Sequence, residues 1–238
     1  GNQGIGLALV GAVRGYHTVI IMPDSVSEER RKLVRHYGAD VKLIHDAGDI
    51  GACIDECLKT ALRMQEKDPR VFVPQQFANI NNVKAHKNHT ALEIMEQVAG
   101  QIDGFCSGIG TGGTITGIGE SLRAQYPGIE IWAVEPENAA ILAGGTIGTH
   151  LQMGIGDGII PDILNQNIYD NIYVISDSEA LDTAKRLARE EGLMCGISSG
   201  TNVAAALKLA KKLGPGKTVV TVLPDTAERY FSTPLFEE

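Results

Sequence analysis

The sequence is poor in several residue types, and each shortage excludes a class of protein. Four cysteines in 238 residues are too few and too scattered for a disulfide framework. No apolar run approaches the roughly 20 residues that a membrane-spanning helix needs, and the opening residues do not resemble a signal peptide. Lys and Arg number 21 against 29 Asp and Glu, and the net charge of −8 argues against binding to nucleic acid or to an anionic membrane. We therefore expect a cytoplasmic protein that acts on small molecules.

Short β-branched runs alternate with amphipathic segments along almost the whole chain. The runs that predict strands are residues 16–23, 40–44, 71–74, 102–107, 129–136, 172–176 and 218–224. They are apolar without strict alternation, which is typical of strands covered on both faces in a parallel sheet. The pattern predicts an α/β fold with doubly wound, mostly parallel sheets. Residues 138–171 interrupt it with a Gly-rich stretch, which favours a functional loop.

The segments between the strands predict helices with defined faces. The first, residues 5–15, is apolar nearly all round, so we expect it to be buried. Ser176 and Glu179 predict a capping box before the helix that Gly192 ends. In the last helix, residues 201–213, we expect Val203, Leu207, Ala210 and Leu213 to face inward. Cys53 and Cys57 lie on an apolar helical stripe, which favours a core position over a metal pair, and no metal site is predicted.

A glycine-rich segment, SGIGTGGTITG at 107–117, follows a predicted strand and precedes a predicted helix. Such a turn suits a phosphate, because backbone N–H groups and the helix N-terminus point at the anion. Gly108, Gly110 and Gly113 also fit the dinucleotide pattern, with Glu135 about 20 residues further on, so an NAD-binding dehydrogenase domain stays open. A glycine turn that only permits tight packing is a third interpretation. The hydroxyls of Thr111 and Thr114 favour a terminal phosphomonoester over a pyrophosphate.

Further motifs occur together with this loop. They are GNQGIGLA at 1–8, QQFAN at 75–79, GIGDGIIPD at 154–162, GISSG at 196–200 and LPDTAERYFST at 223–233. In this order they resemble the cysteine synthase (O-acetylserine sulfhydrylase) and cystathionine β-synthase family of pyridoxal phosphate enzymes. The resemblance covers essentially the whole chain. It implies fold type II, the tryptophan synthase β-like arrangement of two domains, with residues 1–79 in the smaller substrate-binding domain and 80–238 in the larger cofactor-binding one.

The resemblance also implies roles for individual residues. The cofactor's phosphate would be bound by Gly110, Thr111, Gly112, Gly113 and Thr114. Asn2 would bond the ring's phenolic oxygen and Ser198 the pyridine nitrogen. Asn2 could be a helix cap at the same time, and without the resemblance Ser198 would be interpreted as an ordinary N-cap. The substrate would be bound by the loop containing Gly1 and Gln3, by Gln76 and by Gly154. Gln76 could also be an ordinary surface residue.

Two positions and one missing segment depart from the family pattern. Gln3 stands where the family usually has Thr, and Ala227 where PDTGERY is commoner. The family's Schiff-base lysine lies upstream of the Asn2 loop, and no comparable segment occurs in these residues, so we name no catalytic lysine. Because the sequence opens with Gly1 inside a motif, we expect a further segment to precede it. His86 and His89 are spaced like a metal pair but are expected to be exposed helix residues.

The function implied by the resemblance is β-replacement, in which O-acetylserine and sulfide give cysteine and acetate. The alternative within the family is condensation of serine with homocysteine. A dehydrogenase domain and a non-catalytic module that binds pyridoxal phosphate without the lysine are alternatives of other classes. A homodimer is the family's habit, and serine acetyltransferase is a possible partner.

Overall fold

The computed structural model describes residues 1–237, which form eight α-helices and six β-strands. The helices are α1 (Asn2–Arg14), α2 (Glu28–His36), α3 (Ile50–Lys67), α4 (Ile80–Ala85), α5 (Ala91–Gln97), α6 (Gly113–Gln125), α7 (Asp177–Glu191) and α8 (Ile197–Leu213). The strands are β1 (Val19–Pro23), β2 (Asp40–Ile44), β3 (Gly104–Gly108), β4 (Glu130–Pro136), β5 (Asn171–Ile175) and β6 (Val219–Thr221). A π-helical turn, His86–Thr90, joins α4 to α5. Among the described residues, no helix is both long enough and apolar enough to cross a membrane.

The strands form two parallel sheets. One contains β1 and β2, and the other has the order β5-β4-β3-β6. Every strand pair within the two sheets is parallel. The predicted α/β class with parallel sheets is therefore confirmed.

The four-stranded sheet is covered on both faces, which explains why its strands do not alternate apolar and polar residues. Phe105 and Ile131 pack on one face with α6, while Cys106 and Trp132 pack on the other with α7 and α8. Successive side chains of a strand point to opposite faces, so each apolar run contributes side chains to two hydrophobic cores. A third core lies between the two-stranded sheet and helices α1 and α2.

The predicted helix ends are mostly correct. The Ser176 side chain accepts a hydrogen bond from the Glu179 N–H, and Gly192 ends α7 in the left-handed conformation. The Glu179 carboxylate pairs with Lys208 on α8. All four cysteines are free and buried, and burial raises the pKa of the Cys57 and Cys106 thiols to about 12. The core interpretation of Cys53 and Cys57 is confirmed.

Three expectations about the elements are wrong. Residues 71–74 form no strand, and the Phe72 side chain is exposed. Helix α1 buries one side only, because it packs on β1 and α2 and leaves Val13 79% exposed. Helix α8 begins at Ile197 rather than Thr201, and Leu207 is exposed because the buried face contains Ala204, Ala205 and Leu209. Tertiary contacts, and not the local sequence pattern, decide these features.

Replacing Gly200 by alanine is expected to lower the free energy of unfolding by about 1–3 kcal/mol. A Cβ at Gly200 would lie 2.0 Å from the carbonyl oxygen of Ala180 and 2.9 Å from the nitrogen of Ala184, so α8 would have to move away from α7. Urea unfolding measures the change. Gly6→Ala is the control, because a Cβ there meets nothing within 4 Å and alanine favours the helix. Equal effects of the two substitutions would contradict the close approach of α7 and α8.

Candidate functional site

A large cleft runs between the segment that contains β1 and the carboxyl end of β3. Its volume is about 1490 Å³. Of the site residues predicted from the sequence, those that line it are Gly1, Asn2, Gln3, Gln76, Thr111 and Gly154. The remaining predicted residues, Gly110, Gly112, Gly113, Thr114 and Ser198, lie in the glycine loop and in the first turn of α8. The structure therefore brings residues from distant parts of the sequence to one cleft.

The glycine loop is held so closely that side chains would not fit. Gly112 is the N-cap of α6 with φ 76°. A Cβ on Gly110 would lie 2.5 Å from the carbonyl oxygen of Gly154, and one on Gly113 would lie 2.1 Å from Asn82 Oδ1. Glycine is needed at Gly110 and Gly113 because of the close approach, and at Gly112 because of the left-handed backbone. The loop therefore presents the N-terminus of α6 as a compact site for an anion.

Two side chains behind the loop position its hydroxyls. Asn82 Nδ2 donates to Thr111 Oγ1 at 2.9 Å and to the Gln76 carbonyl at 3.0 Å. His86 Nε2 lies 3.3 Å from Thr114 Oγ1. The expectation that His86 is exposed is wrong, since it is half-buried and burial lowers its pKa. Sequence reasoning missed Asn82, because only the fold places α4 against α6.

Asn2 belongs to a buried polar network, which we call the Arg30 network, formed by Asn2, Arg30, Asp225 and Tyr230. Asp225 Oδ2 accepts from Asn2 Nδ2 at 2.9 Å, from Tyr230 Oη at 2.8 Å and from Arg30 Nη2 at 3.2 Å. Arg30 Nη2 also donates to Tyr230 Oη at 2.6 Å. The alternative of Asn2 as a helix cap is wrong, because Gly1 is the N-cap of α1. The network ties α1 and α2 to the segment after β6.

Some polar atoms near this network lack a partner. Among the described residues, Asn2 Oδ1, Ser199 Oγ and Asp225 Oδ1 are buried without a hydrogen bond. Burial of an unpaired polar group is costly, and a ligand or water that bonds to one of these atoms would remove that cost.

Ser198 lies in the first turn of α8, and its residue is 3% exposed. Gly196 is the N-cap, so the cap interpretation of Ser198 is wrong. A Cβ on Gly196 would lie 2.0 Å from Asp225 Oδ1, which explains the glycine before the two serines. Gly196, two residues before Ser198, therefore packs directly against Asp225 of the Arg30 network.

Two positions that depart from the family pattern have different surroundings. Gln3 is exposed and lines the cleft, so its side chain is available to a ligand. Ala227 is buried. Its φ is negative, because Gln75 is the one non-glycine residue with positive φ among residues 1–237. Alanine at 227 therefore causes no backbone strain.

Asp157 is a cleft residue that sequence reasoning missed. It lies three residues after Gly154, in the long connection between β4 and β5, and lines the cleft. Burial raises the pKa of its carboxyl. The sequence does contain a local indication of this residue, since an acidic side chain stands in the middle of the glycine-rich GIGDG at 154–158.

Glu135 does not have the surroundings that a dinucleotide site requires. Its carboxylate accepts from the backbone N–H groups of Leu142 and Ala143 at 3.0 and 3.1 Å, and the residue is 2% exposed. Burial raises the pKa of this carboxyl. A ribose hydroxyl therefore has no access to it, which contradicts the dinucleotide interpretation.

Comparisons with known proteins agree with one another. The family described as pyridoxal-phosphate dependent enzyme matches residues 1–225. A cysteine synthase of Staphylococcus aureus (strain Mu50 / ATCC 700699) is 46% identical over 237 residues, which are 99% of this chain and 75% of that relative. The crystal structure of O-ureido-L-serine synthase is 41% identical with a TM-score of 0.93, over 100% of this chain and 74% of the other. An O-acetylserine dependent cystathionine beta-synthase from Helicobacter pylori is 36% identical with a TM-score of 0.92, over 99% and 76%.

Proposed function

Because the chain belongs to the family of pyridoxal-phosphate dependent enzymes, we propose that it acts as a cysteine synthase, converting O-acetylserine and sulfide to cysteine and acetate. The observation that carries this proposal is the glycine loop at the N-terminus of α6, which opens on the same cleft as Asn2 and Gln76. A phosphate and an amino-acid substrate would therefore be bound side by side.

The residues present fit pyridoxal phosphate. Backbone N–H groups of α6 and the hydroxyls of Thr111 and Thr114 match the acceptor oxygens of a phosphomonoester, and the helix dipole favours its negative charge. Gly110 packs against the Gly154 backbone and Gly113 against the Asn82 side chain, which fixes the position of the loop. Gly112 completes the turn.

The ring of the cofactor would be oriented by Asn2 and Ser198. Asp225 takes one N–H of the Asn2 amide, which leaves the second N–H for the phenolic oxygen. Ser198 offers a neutral hydroxyl to the pyridine nitrogen, so this nitrogen need not be protonated. The bound cofactor supplies an electron sink for the electron pair left on the substrate when bonds at its α carbon break.

The substrate would be bound in the same cleft, next to the cofactor. Gly1, Gln3 and Gln76 line this cleft and offer backbone and amide N–H groups to the substrate carboxylate. Gly154, with φ 96°, keeps the chain close without a side chain. Closure of the cleft around the amino acid would exclude water and strengthen these contacts.

The test is a product assay with the protein in its natural length. Incubation with O-acetylserine and sulfide is expected to release acetate and cysteine in equal amounts. Chromatography of both products measures this. Absence of both, from protein shown to hold pyridoxal phosphate, would overturn the proposal.

The second candidate is cystathionine formation from serine and homocysteine, favoured by the likeness to the H. pylori enzyme. The cofactor residues do not distinguish the two, because they contact the cofactor and not the thiol. A rate with homocysteine and serine above that with sulfide and O-acetylserine would replace the first candidate by the second.

The organisation of the protein is proposed on the same basis. The division into a smaller domain, residues 1–79, and a larger one, 80–238, is supported by the two separate sheets. We also propose a homodimer, a serine acetyltransferase partner and a cytoplasmic location, which accord with this function. Sedimentation velocity, alone and with serine acetyltransferase, tests the first two.

A further inference from the structure

Asn82 contacts two parts of the cleft, the segment that contains Gln76 and the glycine loop. It lies in the first turn of α4 and is half-buried. A Cβ built on Gly113, the first residue of α6, would lie 2.1 Å from Asn82 Oδ1 and 2.5 Å from Asn82 Cγ. The side-chain amide therefore packs directly on the start of α6. From there it bonds to the Gln76 backbone and to Thr111, both of which line the cleft.

The Gln76 carbonyl fixes the direction of the Asn82 amide. A carbonyl oxygen can only accept, so the group 3.0 Å from it must be the NH₂ of Asn82 and not the amide oxygen. The second N–H of the same nitrogen then points at Thr111 Oγ1, 2.9 Å away. A flipped amide would bring two oxygen atoms together at Gln76. Both protons of Asn82 Nδ2 are therefore in use.

These contacts give the Thr111 hydroxyl a single direction. Its oxygen accepts from Asn82 Nδ2 and, at 3.3 Å, from the Gly113 N–H, which can only donate. Both lone pairs are then occupied, and only the O–H proton remains. Among the described residues, Thr111 donates this proton to no protein atom. Because Thr111 lines the cleft, its hydroxyl is directed to donate to an anion bound there.

The same amide supports a strained turn before α4. Gln75 has φ 51°, in the left-handed region that costs energy for a residue with a side chain. The N–H groups of Ala78 and Asn79 both donate to the Gln75 carbonyl at 2.9 Å, and the Asn82 amide bonds to the Gln76 carbonyl. Such strain persists only where the surrounding contacts impose it, and it is common at ligand sites.

We propose that Asn82 is a positioning residue that couples the two parts of the site: it directs the Thr111 hydroxyl at the cofactor phosphate and holds the turn that presents Gln76 to the substrate carboxylate. The proposal rests on the proposed function, which places these two ligands. A phosphate that accepts from Thr111 stabilises the amide in the direction that also supports Gln76. By thermodynamic linkage, bound substrate strengthens the binding of the phosphate by the same factor.

The first experiment measures the affinity of the natural-length protein for pyridoxal phosphate and for pyridoxal, which has the same ring without the phosphate. In Asn82→Ala the affinity for pyridoxal phosphate is expected to fall about tenfold, because a charged hydrogen bond loses its direction, and that for pyridoxal to stay within about twofold. Asn81→Ala is the matched control, since Asn81 lies in the same turn and is exposed, and it should bind both as the native protein does. Equal losses with the two compounds in Asn82→Ala would indicate a merely structural role and overturn the proposal.

A double-mutant cycle tests whether Asn82 acts through the Thr111 hydroxyl. In Thr111→Val, which lacks this hydroxyl, the further change Asn82→Ala should alter the affinity for pyridoxal phosphate by less than about twofold. A loss as large as in the protein with Thr111 would contradict the proposal. If Asn82→Ala does not fold, Asn82→Asp replaces it with a side chain of the same shape. The Thr111 hydroxyl would then donate to the new carboxylate, and native affinity for pyridoxal phosphate in this variant would overturn the proposal.

The substrate part of the coupling is measured with the natural-length enzyme at saturating pyridoxal phosphate. Asn82→Ala is expected to raise KM for O-acetylserine at least about fivefold and to leave kcat within about twofold, because it releases the Gln76 turn without touching the reacting atoms. An unchanged KM would refute the coupling. If the native enzyme releases no acetate from O-acetylserine, the proposed function itself fails, while the affinities for pyridoxal phosphate and pyridoxal still decide whether Asn82 directs Thr111.

Discussion

Gly110→Ala is expected to weaken the binding of pyridoxal phosphate at least about 100-fold. The added Cβ would lie 2.5 Å from the carbonyl oxygen of Gly154, which is backbone and has no side chain to rotate away. The loop must therefore move, and its N–H groups lose their alignment on the phosphate. Each hydrogen bond to a charged group contributes about 1.5–3 kcal/mol, so the loss of one or two accounts for the expected change. Fluorescence titration of the cofactor measures it.

Gly128→Ala is the control for this experiment. Gly128 lies in the turn after α6, and a Cβ there meets nothing within 4 Å. Its affinity for the cofactor should equal that of the native protein. An unchanged affinity in Gly110→Ala would show that the glycine loop is not the phosphate site.

Arg30→Ala is expected to lower the free energy of unfolding by about 3–5 kcal/mol. The Arg30 and Asp225 side chains are 2% and 1% exposed, so the substitution leaves a buried carboxylate without its cation. Tyr230 and Asn2 would keep their bonds to Asp225 but could not neutralise it. Urea unfolding, monitored by the fluorescence of Trp132, measures the loss.

The matched control lies on the same helix. Lys32 pairs with Glu28 at 3.0 Å, but the side chains are 69% and 58% exposed. Such pairs contribute little, and Lys32→Ala should cost less than about 0.5 kcal/mol. If the two variants lost equal stability, the Arg30 network would not be the link between α2 and the segment after β6.

Local patterns predict the parts of this protein that depend on neighbours in sequence. The strand, glycine turn and helix at 104–125 were predictable, because the turn chemistry and the apolar run are contiguous. The ends of α7 were predictable for the same reason, since Ser176 and Gly192 act on the nearest backbone groups.

Other features depend on distant residues and left no local pattern. Arg30 and Asp225 are 195 positions apart, and nothing in the sequence around either one indicates the ion pair. The exposed side of α1 is decided by what packs on it, which an apolar composition does not reveal. Residues 71–74 have the composition of a strand, but no strand pairs with them.

The central claim is that the glycine loop binds the phosphate of pyridoxal phosphate, and ³¹P NMR of the natural-length protein with this cofactor tests it most directly. A free phosphomonoester takes up a proton near pH 6. The helix N-terminus favours the dianion, so the resonance of the bound cofactor should stay constant through that range in the native protein and titrate in Gly110→Ala. A resonance that titrates like the free cofactor in the native protein would contradict the assignment of the site.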